Sequence, residues 1–150
     1  AVRCSESGLE DTFQRSVSLA SCERAGLSID AETLDWWLGQ NASAQAQLTG
    51  GSRLELVLEA FTEWYGDADE VWANSPSFDC EILEHAYDAV GLDAPWGFYA
   101  ERDFRTLNAL EIAPDLDHNG VGHDALDDAV HQAEIASAAL EHQQAVMSRE

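Results

Sequence analysis

The residues best suited to chemistry in this chain are a few carboxylates and one histidine. The first is Asp79. The segment Ser77 to Val90 carries an apolar stripe through Leu83, Ala86 and Val90, and Asp79 lies four, seven and eleven residues before them. On a helix that spacing puts it on the same face. A carboxylate near a buried face costs several kcal/mol unless it is paired or bound to a metal. Its place in the first turn, near the positive end of the helix dipole, suits a capping or salt-bridging aspartate equally well. The second group is His123-Asp124-Ala125-Leu126-Asp127-Asp128. On one helix His123 and Asp128 would point about 140° apart. They converge only if His123 lies in the loop, which Gly120 and Gly122 allow, and Asp128 lies on the first turns. Asp124 then suits the N-cap. Asp128 shares its side with Ala125, Gln132, Ile135 and Ala139, whereas Asp127 shares a solvated side with His131 and Glu134. Asp128 is therefore the better ligand candidate, although an ordinary acidic helix start would look the same.

The elements that must position these residues are legible in outline. Val2 to Arg3 reads as the tail of a strand, and Phe13 to Leu19 alternates as a half-buried strand does. Asp30 opens a short helix ending near Gly39, and Arg53 to Tyr65 places Leu54, Val57, Leu58, Phe61 and Trp64 or Tyr65 at helical spacing. Glu70 to Ala73 reads as a short strand before a turn at Asn74-Ser75-Pro76. The helix Ser77 to Val90 is stopped by Gly91, Trp96 to Phe104 is extended, Asp115 to Gly122 is a polar loop, and a final helix runs from Ala125 to about His142. Strands and helices mixed in this order predict an α/β sheet with helices packed on it.

A length of 150 residues suggests one domain with a real core. No apolar run is long enough for a membrane span, and no signal peptide is visible. Cys4, Cys22 and Cys80 are widely spaced, without a Cys-x-x-Cys, which suits small buried side chains in a reducing cytoplasm. The charge is the unusual feature: 29 acidic residues against seven basic ones, all Arg, for a net charge of −22. Binding to phosphate normally calls for basic patches. A halophilic cytoplasm, where molar salt screens repulsion, accounts for the excess, and Arg without Lys fits a GC-rich genome. An acidic protein that mimics nucleic acid is the competing explanation.

Three blocks, read together, carry a family resemblance. They are Trp72-Ala73-Asn74-Ser75-Pro76-Ser77-Phe78-Asp79, then Arg102-Asp103-Phe104-Arg105-Thr106-Leu107, then His123-Asp124-Ala125-Leu126-Asp127-Asp128-Ala129 followed by Gln132-Ala133. The helix Ile29 to Leu38 ahead of them fits the same pattern. The chain resembles DEDDh-type 3′→5′ exonucleases of the ribonuclease H-like fold, in the branch with bacterial and phage exoribonuclease-like proteins and the exonuclease VIII catalytic domain. The resemblance covers nearly the whole chain, and three ordered blocks are far more specific than any one. It implies an α/β fold with a ribonuclease H-like mixed sheet flanked by helices. It also implies two-metal hydrolysis at single-stranded RNA or DNA 3′ ends with Mg²⁺ or Mn²⁺. By the same resemblance, Asp79 and Asp128 would bind metal and His123 would be the general base. Asn74 and Phe78 are candidates to contact the terminal nucleotide, Phe78 by stacking, although a core Phe is the better fit. Trp36 and Trp37 fit the core better than a base-stacking role. Arg102 and Arg105 could meet phosphate or pair with the many acids.

The family also has an Asp-x-Glu on its first strand. Ala1-Val2-Arg3 resembles the end of the second strand, so the sheet is expected to lack its first strand and the domain to be N-terminally incomplete, in keeping with the absent initiator Met. Asp30-Ala31-Glu32-Thr33 imitates the motif, but Asp30 reads as an N-cap, with Ile29 and Leu34 as a hydrophobic staple. Asp79-Cys80-Glu81 fails because side chains two apart on a helix do not face together. With half the carboxylates, this form is expected to be a badly impaired exonuclease. The alternative is a non-catalytic acidic binding or assembly relative of the fold. An exposed sheet edge makes a homodimer plausible.

Overall fold

In the computed structural model, the residues described are 1–5, 8–46, 48–110, 112–117 and 124–148. They form β1 (Val2–Ser5), β2 (Gly8–Thr12), α1 (Leu19–Arg24), α2 (Ala31–Leu38), α3 (Ala42–Ala46), α4 (Leu54–Tyr65), β3 (Val71–Ala73), α5 (Pro76–Val90), β4 (Glu101–Asp103), α6 (Phe104–Asn108) and α7 (Ala125–Met147). This is a mixed α/β protein with small sheets flanked by helices. Backbone contacts divide it into two compact units. The first comprises Ala1–Gln14, Val71–Pro76 and Glu101–Glu150, and the second Arg15–Glu70 and Ser77–Ala100.

The first unit holds all four strands, as two two-stranded sheets. β1 and β2 pair antiparallel, with Val2 opposite Thr12 and Ser5 opposite Gly8. β3 and β4 pair parallel, with Val71 opposite Glu101 and Ala73 opposite Asp103. In place of the one mixed sheet expected from the sequence there are two small sheets among the described residues, one antiparallel and one parallel. α7 packs on β1, on β2 and on α6. Ile135, Ala136 and Ala139 of α7 meet Phe104 and Leu107 of α6, with Trp72 of β3 packed against the cluster. The alanines let the helix approach closely, and Ala139 is completely buried.

The strand expected over Phe13 to Leu19 is not there. β2 ends at Thr12, opposite Val2 of β1, and Phe13 and Ala1 exchange one further pair of bonds. A strand needs a neighbour as well as an alternating pattern. Val17 instead makes an isolated parallel bridge to Ser52, and Leu19 starts α1. The bridge forces close contact: a Cβ on Gly51 would lie 2.3 Å from the Val17 carbonyl carbon. Trp96 to Phe104 is likewise extended only over β4, because Asp103 accepts a hydrogen bond from Thr106 N–H and starts α6.

The second unit is helical. α4 buries Leu54, Val57, Leu58 and Tyr65, so of the two candidate aromatics Tyr65 is the core residue. Arg53 at its N-cap supplies no capping side chain. The cap comes from α1: the buried Ser21 hydroxyl accepts the Leu54 N–H at 3.0 Å and donates to the Ser18 carbonyl. α5 opens with Pro76, a residue suited to the first helical position. It ends at Gly91 (φ 72°), where Gly91 N–H meets the Asp88 carbonyl and Leu92 N–H meets the Tyr87 carbonyl, a Schellman stop. Tyr87, 1% exposed, donates its hydroxyl proton to the Leu58 carbonyl and accepts from Thr62. Trp96 packs between the rings of Phe61, Tyr65 and Tyr87 and donates its indole N–H to Glu84. Burial pushes both the Tyr87 and Tyr65 hydroxyls above their ordinary pKa, and Asp69 adds to the effect at Tyr65.

α2 departs from expectation. It buries no residue; Trp36 is 48% exposed and stacks edge-on against Trp37, so neither indole is core. Neighbouring residues on a helix point about 100° apart, so the two could not both face one core. All three cysteines are thiols, but only Cys80 is buried.

Candidate active site

Asp79 sits in the first turn of α5. The argument that placed it near a buried face is overturned: the side chain is exposed, as are Phe78 and Glu81 beside it. The face it shares with Leu83, Ala86 and Val90 is covered only further along, where Ala86 and Tyr87 are buried, and in the first turns the buried residue is Cys80. An exposed carboxylate has no desolvation to be relieved by a cation. Its candidacy therefore rests on sequence context and not on burial. Phe78 is 64% exposed, which excludes the core role and leaves its ring open to solvent. Both residues belong to the second unit.

Asn74 and Asp128 belong to the first unit. Asn74 directly follows β3 and is exposed. Asp128 stands in the first turns of α7, where its N–H donates to the Asp124 carbonyl at 3.0 Å. The Asp124 side chain accepts Leu126 N–H and Asp127 N–H at 3.0 and 3.2 Å, the N-cap expected from the sequence. Asp128 is half-buried and lies seven residues before the buried Ile135 and eleven before the buried Ala139, on the line of the core. Asp127 is half-buried too, so exposure does not separate the two aspartates; helical face does. Its neighbour His131, expected on a solvated side, is half-buried and lines an open cleft of about 330 Å³ with Asn108, Asp115 and Ile135. His123 lies outside the described residues.

The donors at issue, two aspartates and a histidine, fit a hard divalent cation in kind. Among the described residues, no group of three His, Cys, Asp or Glu side chains could hold a metal ion. The false Asp-x-Glu at Asp30 is excluded: its carboxylate accepts Thr33 N–H at 2.7 Å as the cap of α2. That bond holds Asp30 below the usual carboxylate pKa.

A family model described as the 3′-5′ exoribonuclease Rv2179c-like domain matches residues 1–140. The chain belongs to this family. Searches of the curated proteins and of the solved structures gave no match. In this exoribonuclease-like domain the Arg102 to Leu107 block has work in the fold that its sequence hid. Asp103 caps α6, Phe104 and Leu107 are core, and Arg102 donates to the Glu101 carbonyl. Asp103-x-x-Thr106 was the available signal, a capping residue three before its N–H donor. No described helix is long and apolar enough to cross a membrane.

Proposed function

We propose that the chain is a 3′→5′ exoribonuclease domain of the DEDDh type, removing nucleotides from the 3′ end of single-stranded RNA. The observation that carries this reading is the family match over residues 1–140, and the ordered placement of Asn74, Phe78, Asp79 and Asp128 at strand and helix ends supports it. Asp79 and Asp128 would hold Mg²⁺ or Mn²⁺, which supplies charge neutralisation at the scissile phosphate. His123 takes a proton from the attacking water. Water oxygen bonds to phosphorus, the bond to the preceding 3′ oxygen breaks, and a nucleoside monophosphate leaves. Phe78 stacks on the terminal base and Asn74 positions the nucleotide.

The domain in this reading has a ribonuclease H-like fold, whose family pattern adds an Asp-x-Glu pair to Asp79 and Asp128. The first unit carries an antiparallel pair and a parallel pair on a common set of helical contacts. A strand bearing Asp-x-Glu would supply the two further carboxylates that two-metal hydrolysis calls for. An acidic, non-catalytic relative of the fold is the second reading, in keeping with the net charge of −22.

The test is digestion of 3′-labelled single-stranded RNA and DNA with Mg²⁺ or Mn²⁺ in high salt. The 150-residue chain is compared with a chain extended by an Asp-x-Glu strand. Digestion by the extended chain alone, with RNA preferred, is the expected outcome. Strong Asp79-dependent digestion by the 150-residue chain would show that no further carboxylates are needed, and inactivity of both would favour the non-catalytic relative.

A further inference from the structure

Residues 97–100 form a tight turn closed by Ala100 N–H to the Gly97 carbonyl at 2.9 Å. Its two central residues are Phe98 and Tyr99, 87% and 86% exposed. Turn tips favour Gly, Pro, Asn, Asp and Ser, and this chain has acidic residues in abundance elsewhere. Two adjacent rings in water at such a tip cost hydrophobic free energy with no return in the core. The turn is also held firmly. Trp96, immediately before it, is 8% exposed, packed among three aromatic rings and bonded to Glu84. The rings of Phe98 and Tyr99 meet edge-on, centroids 5.1 Å apart with planes at 86°, and both remain largely exposed to water.

We propose that Phe98 and Tyr99 are a stacking station for the unpaired bases of single-stranded RNA. The inference rests on the exoribonuclease reading and adds a means of holding substrate. A chain with a net charge of −22 and only seven basic residues is poorly equipped to hold a strand by its phosphates. Stacking on an aromatic face needs no charge, tolerates any base and survives high salt. Residues 94–100 contain no charged side chain, although Asp93 and Glu101 flank the segment. Single-stranded RNA presents splayed bases to such faces, which a duplex does not.

Equilibrium binding in EDTA, where cleavage is blocked, tests this with the full chain. The probes are a short single-stranded oligoribonucleotide and an abasic ribose-phosphate strand of equal length. The proteins are the wild type, F98A/Y99A and the ring-retaining F98W/Y99F, each checked by circular dichroism. The expected result is RNA binding weakened about tenfold or more in F98A/Y99A and retained in F98W/Y99F. The abasic strand should be bound equally weakly by all three. The slope of log affinity against log salt should not change, since stacking releases no counterions. RNA affinity unchanged in F98A/Y99A overturns the stacking station and leaves the nuclease reading standing. Wild-type protein that binds neither strand overturns both. A wild-type dimer that F98A/Y99A converts to monomer, with RNA affinity unchanged, assigns the rings to a second copy instead.

Discussion

In the helical unit the core is made of large rings: Trp96 sits among Phe61, Tyr65 and Tyr87, and the Tyr87 hydroxyl is tied to two residues of α4. In the strand-bearing unit the core is one line of small and medium side chains on α7 set against α6 and Trp72, beneath sheets of only two strands each. Rings bury much area per residue and fix their neighbours' geometry. A two-stranded sheet has little stability of its own and depends on whatever packs on it. The difference teaches where each unit is vulnerable: the helical unit through single aromatic side chains, the strand-bearing unit through α7 and the strand edges it leaves open.

The largest expected effect concerns chemistry, and each unit contributes one carboxylate to the test. In a chain carrying the Asp-x-Glu strand, Asp79→Asn and Asp128→Asn should each lower the exonuclease rate by at least about a hundredfold without altering circular dichroism. A loss confined to Asp128→Asn would show that the exposed Asp79 is only a helix-start residue. For stability, Tyr87→Ala should cost about 3–5 kcal/mol by denaturant titration, from a cavity plus two lost hydrogen bonds. Ile135→Ala, a smaller side chain in the other unit, should cost about 2–4 kcal/mol. The reverse order would contradict the contrast drawn between the cores. Asp124→Ala should cost about 1 kcal/mol through the α7 cap, and Asp124→Ser should restore most of it.

The smallest effect is one of pH. Tyr65 and Tyr87 have folded-state pKa values raised above the ordinary 10.0. A raised tyrosine favours folding fully below pH 10 and gives that stability up as pH rises through its folded value. Alkaline titration should therefore weaken the helical unit above pH 10, followed by tyrosinate absorbance together with circular dichroism. Tyr87→Phe should blunt that loss while removing two hydrogen bonds. A wild-type denaturation curve unchanged across this range would show that the burial of these hydroxyls contributes nothing to the unit's stability.

Local features were the ones legible in the sequence. Asp30 as the cap of α2, Asp124 as the cap of α7, and Gly91 as the stop of α5 all depend on residues within a few positions of one another. So does the helix over Leu54 to Tyr65. Features requiring distant partners were not legible. The alternation at Phe13 to Leu19 reads as a strand, but Val17 makes only an isolated bridge to the distant Ser52 and Leu19 starts α1. Ser21 caps a helix that starts 33 residues later. Asp79 falls on an apolar stripe by periodicity and is exposed because the helix buries Cys80, which points about 100° away, in its first turns.

The order of the three motif blocks and the helix each belongs to follow from residue types at short spacing, because capping, turn formation and helical periodicity act over one or two turns. The family match spans residues 1–140, which contain all three blocks. Which faces are covered was decided by packing alone. It put Phe104 and Leu107 in a core, left Phe78, Phe98 and Tyr99 in water, and divided the strands into two separate pairs. Burial and strand pairing depend on what lies opposite, and no residue carries that information in its own neighbourhood.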